Sequence, residues 1–361
     1  MRVTFLISTP DMSGGIRVLA TYARMLTSHG HEVYLVTPGP ARIELKQRLK
    51  ALVRTGRPPK APLIEPSHFD EMGLEVHRLE TWRPIVDDDV PDADFVVATW
   101  WETAEWVNGL AATKGKKLYL IQHHEVFSYV PTERVRTTYR MKLHKIVVAG
   151  WLKELMAREY GDTDVDLVPN AVDHKQFYAP ARSKQSVPTV GLMYSITGFK
   201  AIHVAIAALR RLKLARPDLK VICFSHQQPQ GLEFLGADVE CHLSPSQDVI
   251  RMCYSRCDAW LTSSASEGFN LPSLEAMACR TPVVSTRAGW PATAIVEGHN
   301  GYLAPIDDAD ALYDGLVQVL DSPNWELLSQ NAHATAAELT WERSYELLIQ
   351  AMQRAHSSLP A

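Results

Sequence analysis

The stretch SEGFNLPSLEAMACRTPVV, residues 266–284, decides how this chain is read. Glu267 and Glu275 flank a loop that leads into a helix, and Pro272 suits a first helical turn, where its missing N–H would be unpaired anyway. On this reading Glu275 lies in that first turn, beside backbone amides and the positive end of the helix dipole. Such a terminus holds phosphate, while two carboxylates accept hydrogen bonds from sugar and ribose hydroxyls. The combination fits a nucleotide sugar. Taken alone, a glutamate in a first turn is more often a plain complement to the dipole than a ligand contact, so the run by itself leaves the blander reading ahead.

Outward from this run, apolar strands alternate with helical periodicity. After it, Pro282–Thr286 reads as a strand, followed by two C-terminal helices. Before it come strands at Val190–Tyr194, Lys220–Ser225 and Ala259–Ser263, with helices at Ala201–Leu214 and Gln247–Arg256. The first half repeats the pattern: Val3–Ser8, a Pro/Ser/Gly loop, a helix over Ile16–His29, then strands at Glu32–Thr37, Asp94–Thr99, Lys117–Gln122 and Lys145–Ala149, and a helix from Trp151. Between the halves, residues 166–188 hold three prolines and little periodicity, as an interdomain connection would. The expectation is α/β, two doubly wound Rossmann-like domains facing a cleft, with ligands beyond the carboxyl ends of the strands. The boundaries are 1–172, a connection at 173–188, 189–340, and a C-terminal helix at 341–361.

The 361 residues are too many for one ordinary domain, and 46% hydrophobic with 22% charged residues suits two packed cores. A net charge of −4 excludes a nucleic-acid-type positive field. Five cysteines, at 223, 241, 253, 257 and 279, have no paired CxxC spacing, which argues for free thiols in a reducing compartment. Cys253 and Cys257 share a helical face but no further ligands complete a zinc tetrad. The N-terminal apolar run is too short for a signal peptide, and no stretch is long enough to span a bilayer. The chain is expected to be cytoplasmic, soluble or peripheral to a membrane.

Residues 266–284 resemble the E-x7-E signature of retaining family 4 glycosyltransferases of the GT-B fold, and AGWPATAIVEGHNGYLAPIDDADAL, 288–312, resembles the segment that follows it there. SGGIRVLATYARMLTSHGHEV, 13–33, is similar to the family's glycine loop and first helix. VPNAVDHKQF, 168–177, is similar to its PNGVD-x3-F, with Ala171 for the glycine. TWERSYELLIQAM, 340–352, resembles the final helix, which in this fold crosses back to the first domain. The resemblance implies transfer, with retention, of a sugar from a nucleotide-sugar donor to a glycan or lipid-linked acceptor. It implies a hexosyltransferase-type enzyme of polysaccharide or glycolipid synthesis with no metal and no other cofactor. The rivals are a non-catalytic nucleotide-sugar binder or scaffold, and a GT-B hydrolase or epimerase.

Residue by residue, the resemblance places Glu275 at the ribose and Glu267 at the sugar hydroxyls. Lys200 and the amides of Gly268, Phe269, Asn270 and Leu271 fall at the diphosphate and sugar, with Gly14 and Gly15 approaching acceptor or donor phosphates. GLMYSITGFKAIHVAIAAL, 191–209, departs from the family: Met193 and Tyr194 stand near the place of a diphosphate-binding arginine, and Ala201 replaces a common glycine. Either Arg287 or a first-domain group compensates, or activity is altered. Of His123 and His124 one would contact the transferred sugar, and strand parity with Gln122 favours His124; hydrogen bonding of both to loop backbone is the bland alternative. His123, His124 and Glu125 lack the helical spacing of a zinc site. Trp100, Trp101 and Glu125 fall on the acceptor side, core packing being the other reading of the tryptophans. Asn170 and Asp173 read as turn formers.

Asp87, Asp88 and Asp89 contain the DxD pattern of metal-dependent glycosyltransferases, but between prolines a solvated turn is the better reading. The SGG loop lacks GxGxxG, and the second strand ends in Thr37-Pro38 without the acid that would hold an adenosine ribose, which demotes a dinucleotide-dependent oxidoreductase. Residues 41–60 carry seven basic residues and one acid with interleaved Ile and Leu. They form a candidate amphipathic helix for an anionic membrane surface.

Overall fold

The structure is a computed structural model that describes residues 1–40 and 66–357. The basic stretch 41–60 lies outside the described residues. The chain divides into two compact units. The first takes Met1–Val148, Leu152–Val168 and the final helix from Tyr345 onward; the second takes Ala149–Trp151 and Pro169–Ser344.

In the first unit, β1 (Arg2–Leu6), β2 (Glu32–Thr37), β3 (His77–Arg78), β4 (Phe95–Ala98), β5 (Lys116–Ile121), β6 (His144–Val147) and β7 (Val165–Leu167) form one sheet in the order β3-β2-β1-β4-β5-β6-β7. Every pairing is parallel. The central strands are apolar on both faces, as a sheet covered on two sides requires. Helices α1 (Gly14–Ser28), α2 (Trp101–Gly109), α3 (Thr132–Thr138) and α4 (Gly150–Tyr160) follow β1, β4, β5 and β6. The final helix, Trp341–Ser357, belongs to this unit from Tyr345, whose ring stacks on His29 at 4.3 Å. Its Arg354 pairs with Asp164 and Asp166 at 3.0 Å.

In the second unit, β8 (Thr189–Met193), β9 (Lys220–Ser225), β10 (Val239–Leu243), β11 (Ala259–Thr262), β12 (Val283–Thr286) and β13 (Gly301–Ala304) form a parallel sheet ordered β10-β9-β8-β11-β12-β13. Renumbered from β8, this is the doubly wound order 3-2-1-4-5-6. Helices α5 (Ile202–Ala215), α6 (Gln247–Ser255), α7 (Leu271–Ala278), α8 (Ala309–Leu320) and α9 (Trp325–Ala337) cover it. The core is tight at Trp260, whose ring meets Tyr254 at 4.5 Å and Phe224 at 5.6 Å. Gly191 lies beneath it, where an added Cβ would come within 2.5 Å of both the Trp260 ring and Cys257 Sγ. The proline-rich segment groups with this unit: buried Asp258 accepts the N–H groups of Gln185 and Thr189, and the Arg182 guanidinium lies 4.6 Å from the Trp325 ring centre.

Two of the five cysteines are not free thiols. Cys223 and Cys241 form a disulfide, facing each other in register across β9 and β10 with Cα atoms 4.7 Å apart. Sequence spacing concealed it because β10 is half polar and does not read as a strand. The bridge removes the free-thiol argument for a reducing compartment. The other three cysteines are buried thiols whose pKa burial pushes up, Cys253 to about 11.

Ala201, entering α5, adopts φ 45° and ψ 43°. An L side chain in this left-handed region costs about 1–2 kcal/mol. Ala201→Gly is therefore expected to hold or raise the melting temperature, by up to about 4 °C, a shift of about 1 kcal/mol for a unit this size. A drop of several degrees in a thermal melt would show that the methyl's packing outweighs the backbone strain.

Candidate functional site

In a doubly wound sheet, the loops at the point where strand order reverses diverge and leave a crevice beyond the carboxyl ends of the strands. In the second unit that point lies between β8 and β11, and it brings residues 194–201 against 263–270. Phe199 O accepts the N–H of Ala265 at 2.7 Å, and Ser263 Oγ lies 3.1 and 3.0 Å from the carbonyl oxygens of Lys200 and Ala201. Lys200 Nζ thus donates to Glu267 Oε1 at 2.6 Å, and Ser264 Oγ donates to the same oxygen at 2.6 Å. Glu267 is only 6% exposed. A buried carboxylate of this kind stands only with a cation and hydrogen-bond donors beside it. Met193, Lys200, Thr262, Ser264, Glu267 and Asn270 line a recess here.

The following loop is shaped by close packing. Gly289, at φ 69°, lies where a Cβ would come within 2.7 Å of Glu267 Cβ and of Phe269 O. Trp290 donates its N–H to Phe269 O at 2.8 Å and stacks on the Phe269 ring at 5.5 Å. Trp151 Nε1 donates to Gly268 O at 2.8 Å, and Leu271 is buried. Helix α7 begins at Leu271, so Glu275 lies in its second turn, not its first. The first turn is capped by Asn270, whose Oδ1 accepts from Ser273 N at 3.2 Å and Ser273 Oγ at 3.0 Å while its Nδ2 donates to Thr262. Asn270's side chain is thus engaged in the fold. Glu275 is buried outside the recess lining and accepts the Tyr254 hydroxyl at 2.8 Å.

No arginine or lysine stands at 193 or 194, and the Tyr194 hydroxyl accepts from Gln230 N. Arg287 is paired with Glu297 at 3.0 Å, both more than half exposed, a surface pair of little energy that rearranges readily.

In the first unit the order reverses between β1 and β4. Gly14 and Gly15 open α1, capped by Ser13, and Gln122 Nε2 donates to Gly15 O at 3.1 Å. Buried His68, which sequence reasoning passed over, approaches Met12 O with Nε2 at 3.2 Å and holds the same loop. Trp100 caps α2 and Trp101 opens it; Trp101 is 5% exposed, so packing is its role here, with the Arg134 guanidinium over its ring.

Glu125 ties these loops together. It is 1% exposed, its Oε2 accepts Trp101 N–H at 2.8 Å and Tyr119 O–H at 3.2 Å, and its own N–H donates to Tyr139 at 2.8 Å. Burial pushes its pKa up to about 8. The parity argument for His124 does not apply, because β5 ends at Ile121 and both histidines lie in the loop. His124 turns into the first unit's own interior, Nε2 at 2.7 Å from Tyr160 OH and its ring near Tyr139, and burial lowers its pKa to about 4. His123 packs against Phe127 at 4.9 Å, with Nδ1 at 3.0 Å from His124 O.

Asp87–Asp89 form a short 3-10 turn, as a turn reading requires, but Asp89 is not solvated: it binds Arg83 through two bonds of 2.5 and 2.6 Å. Asp173 caps its own turn through Lys175 N, whereas buried Asn170 Oδ1 has no hydrogen-bond partner. Among the described residues no cluster of three His, Cys, Asp or Glu is placed to hold a metal, and no helix is long and apolar enough to cross a membrane.

Because Glu125 binds its proton more tightly folded than unfolded, folding stability falls as pH rises from the ordinary carboxyl range to about 8. Glu125→Gln is expected to flatten that slope and to be at least as stable as wild type at pH 8, read by thermal melts from pH 5 to 8. Parallel slopes would show that Glu125 ionises normally.

Residues 12–176 match the family model Glycosyltransferase Family 4, and residues 184–322 match Glycosyl transferases group 1. The D-inositol 3-phosphate glycosyltransferase of Corynebacterium urealyticum is 28% identical over 191 residues, 48% of this chain and 45% of that protein. That of Frankia alni is 30% identical over 219 residues, 54% of each. The chain spans about half the length of the curated relatives it matches. Sucrose-phosphate synthase from Thermosynechococcus elongatus aligns over 98% of both chains with a TM-score of 0.75 at 18% identity. Anabaena Alr3699/HepE, solved with UDP-glucose, aligns over 99% of this chain and 100% of its own with a TM-score of 0.72 at 15% identity. At these identities the structural likeness is one of fold. With two parallel doubly wound sheets and both family models matched in order, the chain belongs to the GT-B glycosyltransferases, with family 4 and group 1 domains in tandem.

Proposed function

We propose that this chain transfers a sugar, with retention, from a nucleotide-sugar donor to a glycan or lipid-linked acceptor. The observation that carries the reading is the Lys200–Glu267 pair at the reversal point of the second sheet. A donor diphosphate competes with Glu267 for Lys200. Once displaced, Glu267 is a buried acceptor for sugar hydroxyls, and Lys200 with the Gly268–Leu271 backbone faces the charge that develops on the leaving diphosphate. Glu275, steadied by Tyr254, is the ribose acceptor. In the first unit, His123 and the glycine loop at Gly14 and Gly15 are the groups proposed for the acceptor side.

In the proposed step the bond from the anomeric carbon to the phosphate oxygen breaks. The acceptor oxygen bonds to the same face of that carbon, and its proton passes to a phosphate oxygen, with no protein nucleophile. Neither metal nor organic cofactor enters the proposal. The relatives named for D-inositol 3-phosphate and the neighbour solved with UDP-glucose make a UDP-sugar the first donor to test and a polyol phosphate a reasonable first acceptor. Polysaccharide or glycolipid synthesis at the inner face of a membrane is the setting proposed. The absence of a cation at 193 and 194 favours one second reading, a nucleotide-sugar binder without turnover.

The test is a thermal-stabilisation panel of UDP, GDP, dTDP and their sugars, since a ligand at a hundred times its Kd stabilises by about 2.7 kcal/mol. A shift selective for one nucleotide sugar, followed by product formation with an acceptor, supports transfer; donor binding without turnover or hydrolysis under any acceptor supports the binder; no shift overturns both. With the nucleotide so identified, Lys200→Ala is expected to raise its Kd about tenfold, the loss of one charge-assisted contact of about 1.4 kcal/mol. Glu275→Ala should also weaken it with the fold intact. Glu267→Gln should leave the nucleoside diphosphate bound as tightly as in wild type or tighter, because it frees Lys200, while abolishing the extra affinity of the attached sugar. Calorimetric titration separates these outcomes, and weaker diphosphate binding by Glu267→Gln would contradict the competition.

A further inference from the structure

Beyond His123, the loop after β5 carries aromatic rings that the transfer reading does not use. His123 packs on Phe127 at 4.9 Å, and Phe127 stacks on Tyr129 at 5.1 Å with the planes only 5° from parallel. Tyr129, the last ring in the series, is 68% exposed, the most exposed Phe, Tyr or Trp side chain among the described residues. The backbone that leads into it is tied by hydrogen bonds. Glu125 anchors it to the start of α2 and to Tyr119 and Tyr139, and Gln122 anchors it to the glycine loop at Gly15. A large ring left in water on a mobile loop would be unremarkable. Here the ring is stacked in parallel on a half-buried neighbour, on a loop pinned by a fully buried carboxylate, at the carboxyl end of a central strand of a parallel sheet, where such sheets bind ligands.

We propose that the His123–Phe127–Tyr129 ladder is a carbohydrate platform, on which one pyranose ring of the acceptor lies with its C–H face against Tyr129. This rests on the glycosyltransferase reading above. The chemistry selects a sugar over a lipid chain. A flat, exposed ring face stacked on its inner side matches the apolar face of a pyranose, and the polar neighbours Ser128 and His123 suit its hydroxyls, whereas an acyl chain calls for a continuous apolar groove. The order of the ladder also has a consequence: ring stacking fixes His123 relative to the bound sugar, so the platform and the histidine move together.

The test applies the full-length chain to an array of defined oligosaccharides, alongside the nucleotide stabilisation panel. Wild type is expected to bind a subset of glycans, Tyr129→Ala to lose at least tenfold in that binding, and Tyr129→Phe and Tyr129→Trp to keep it. Nucleotide stabilisation should be unchanged in all three variants, which shows that they fold. Equal glycan binding by wild type and Tyr129→Ala, or no glycan bound by wild type, overturns the platform while leaving the donor reading standing. Loss in Tyr129→Phe equal to that in Tyr129→Ala also overturns it, since the hydroxyl and not the ring would then be the contact. Failure of nucleotide stabilisation in wild type is the separate signature of a wrong donor reading.

Discussion

A lysine and a glutamate 2.6 Å apart, with the glutamate 6% exposed, are the constraint around which the second unit is arranged. An unpaired buried carboxylate would be strongly destabilising, so every surrounding loop has to bring a donor or keep out of the way. Ser264 supplies a second hydrogen bond. Ser263 fixes the carbonyls of Lys200 and Ala201, so that the lysine stem leaves the backbone from a defined place. Gly289 is a glycine because Glu267 occupies the space a side chain would need, and the Phe269–Trp290 stack closes the next loop over that contact. The left-handed Ala201 is part of the same arrangement: backbone strain is accepted there to turn the chain from Lys200 into α5.

The first unit solves a comparable problem with the opposite sign of emphasis. Glu125 is buried without a cation among its hydrogen-bond partners, and donors from Trp101 and Tyr119 do not offset the loss of hydration, so its proton is held to about pH 8. Its value is geometric. One side chain joins the loops after β4 and β5, and Gln122 joins the latter to the loop after β1, which makes three separate connections into one surface. The same packing lowers the pKa of half-buried His124 to about 4, while His123 packs on Phe127 of the aromatic ladder.

The strands that the amino-acid pattern revealed were those inside the sheets. β1, β2, β4, β5 and β6, and β8, β9, β11 and β12, are apolar on both faces and stand out as short hydrophobic runs. The strands it concealed are the four edges, β3, β7, β10 and β13. An edge strand faces water along one side and is kept short or polar, which erases the hydrophobic signal. Missing β10 concealed the Cys223–Cys241 bridge as well, because cysteines 18 apart pair only once two strands are known to be neighbours.

Sequence alone was sufficient for the class of fold and the tandem arrangement of two parallel sheets, because these depend on local apolar periodicity, whereas Lys200, Glu267 and Glu275 were nominated by the resemblance of two separate stretches to a known family. It did not determine which polar groups meet. That Glu275 begins the second turn and not the first follows from where Asn270 caps α7; that His124 points inward follows from where β5 stops; that Trp101 is core and Glu125 a tie follows from the approach of residues 24 positions apart. These are consequences of loop closure and side-chain burial, long-range terms that strand and helix patterns do not encode, and they were decided only when the chain had packed.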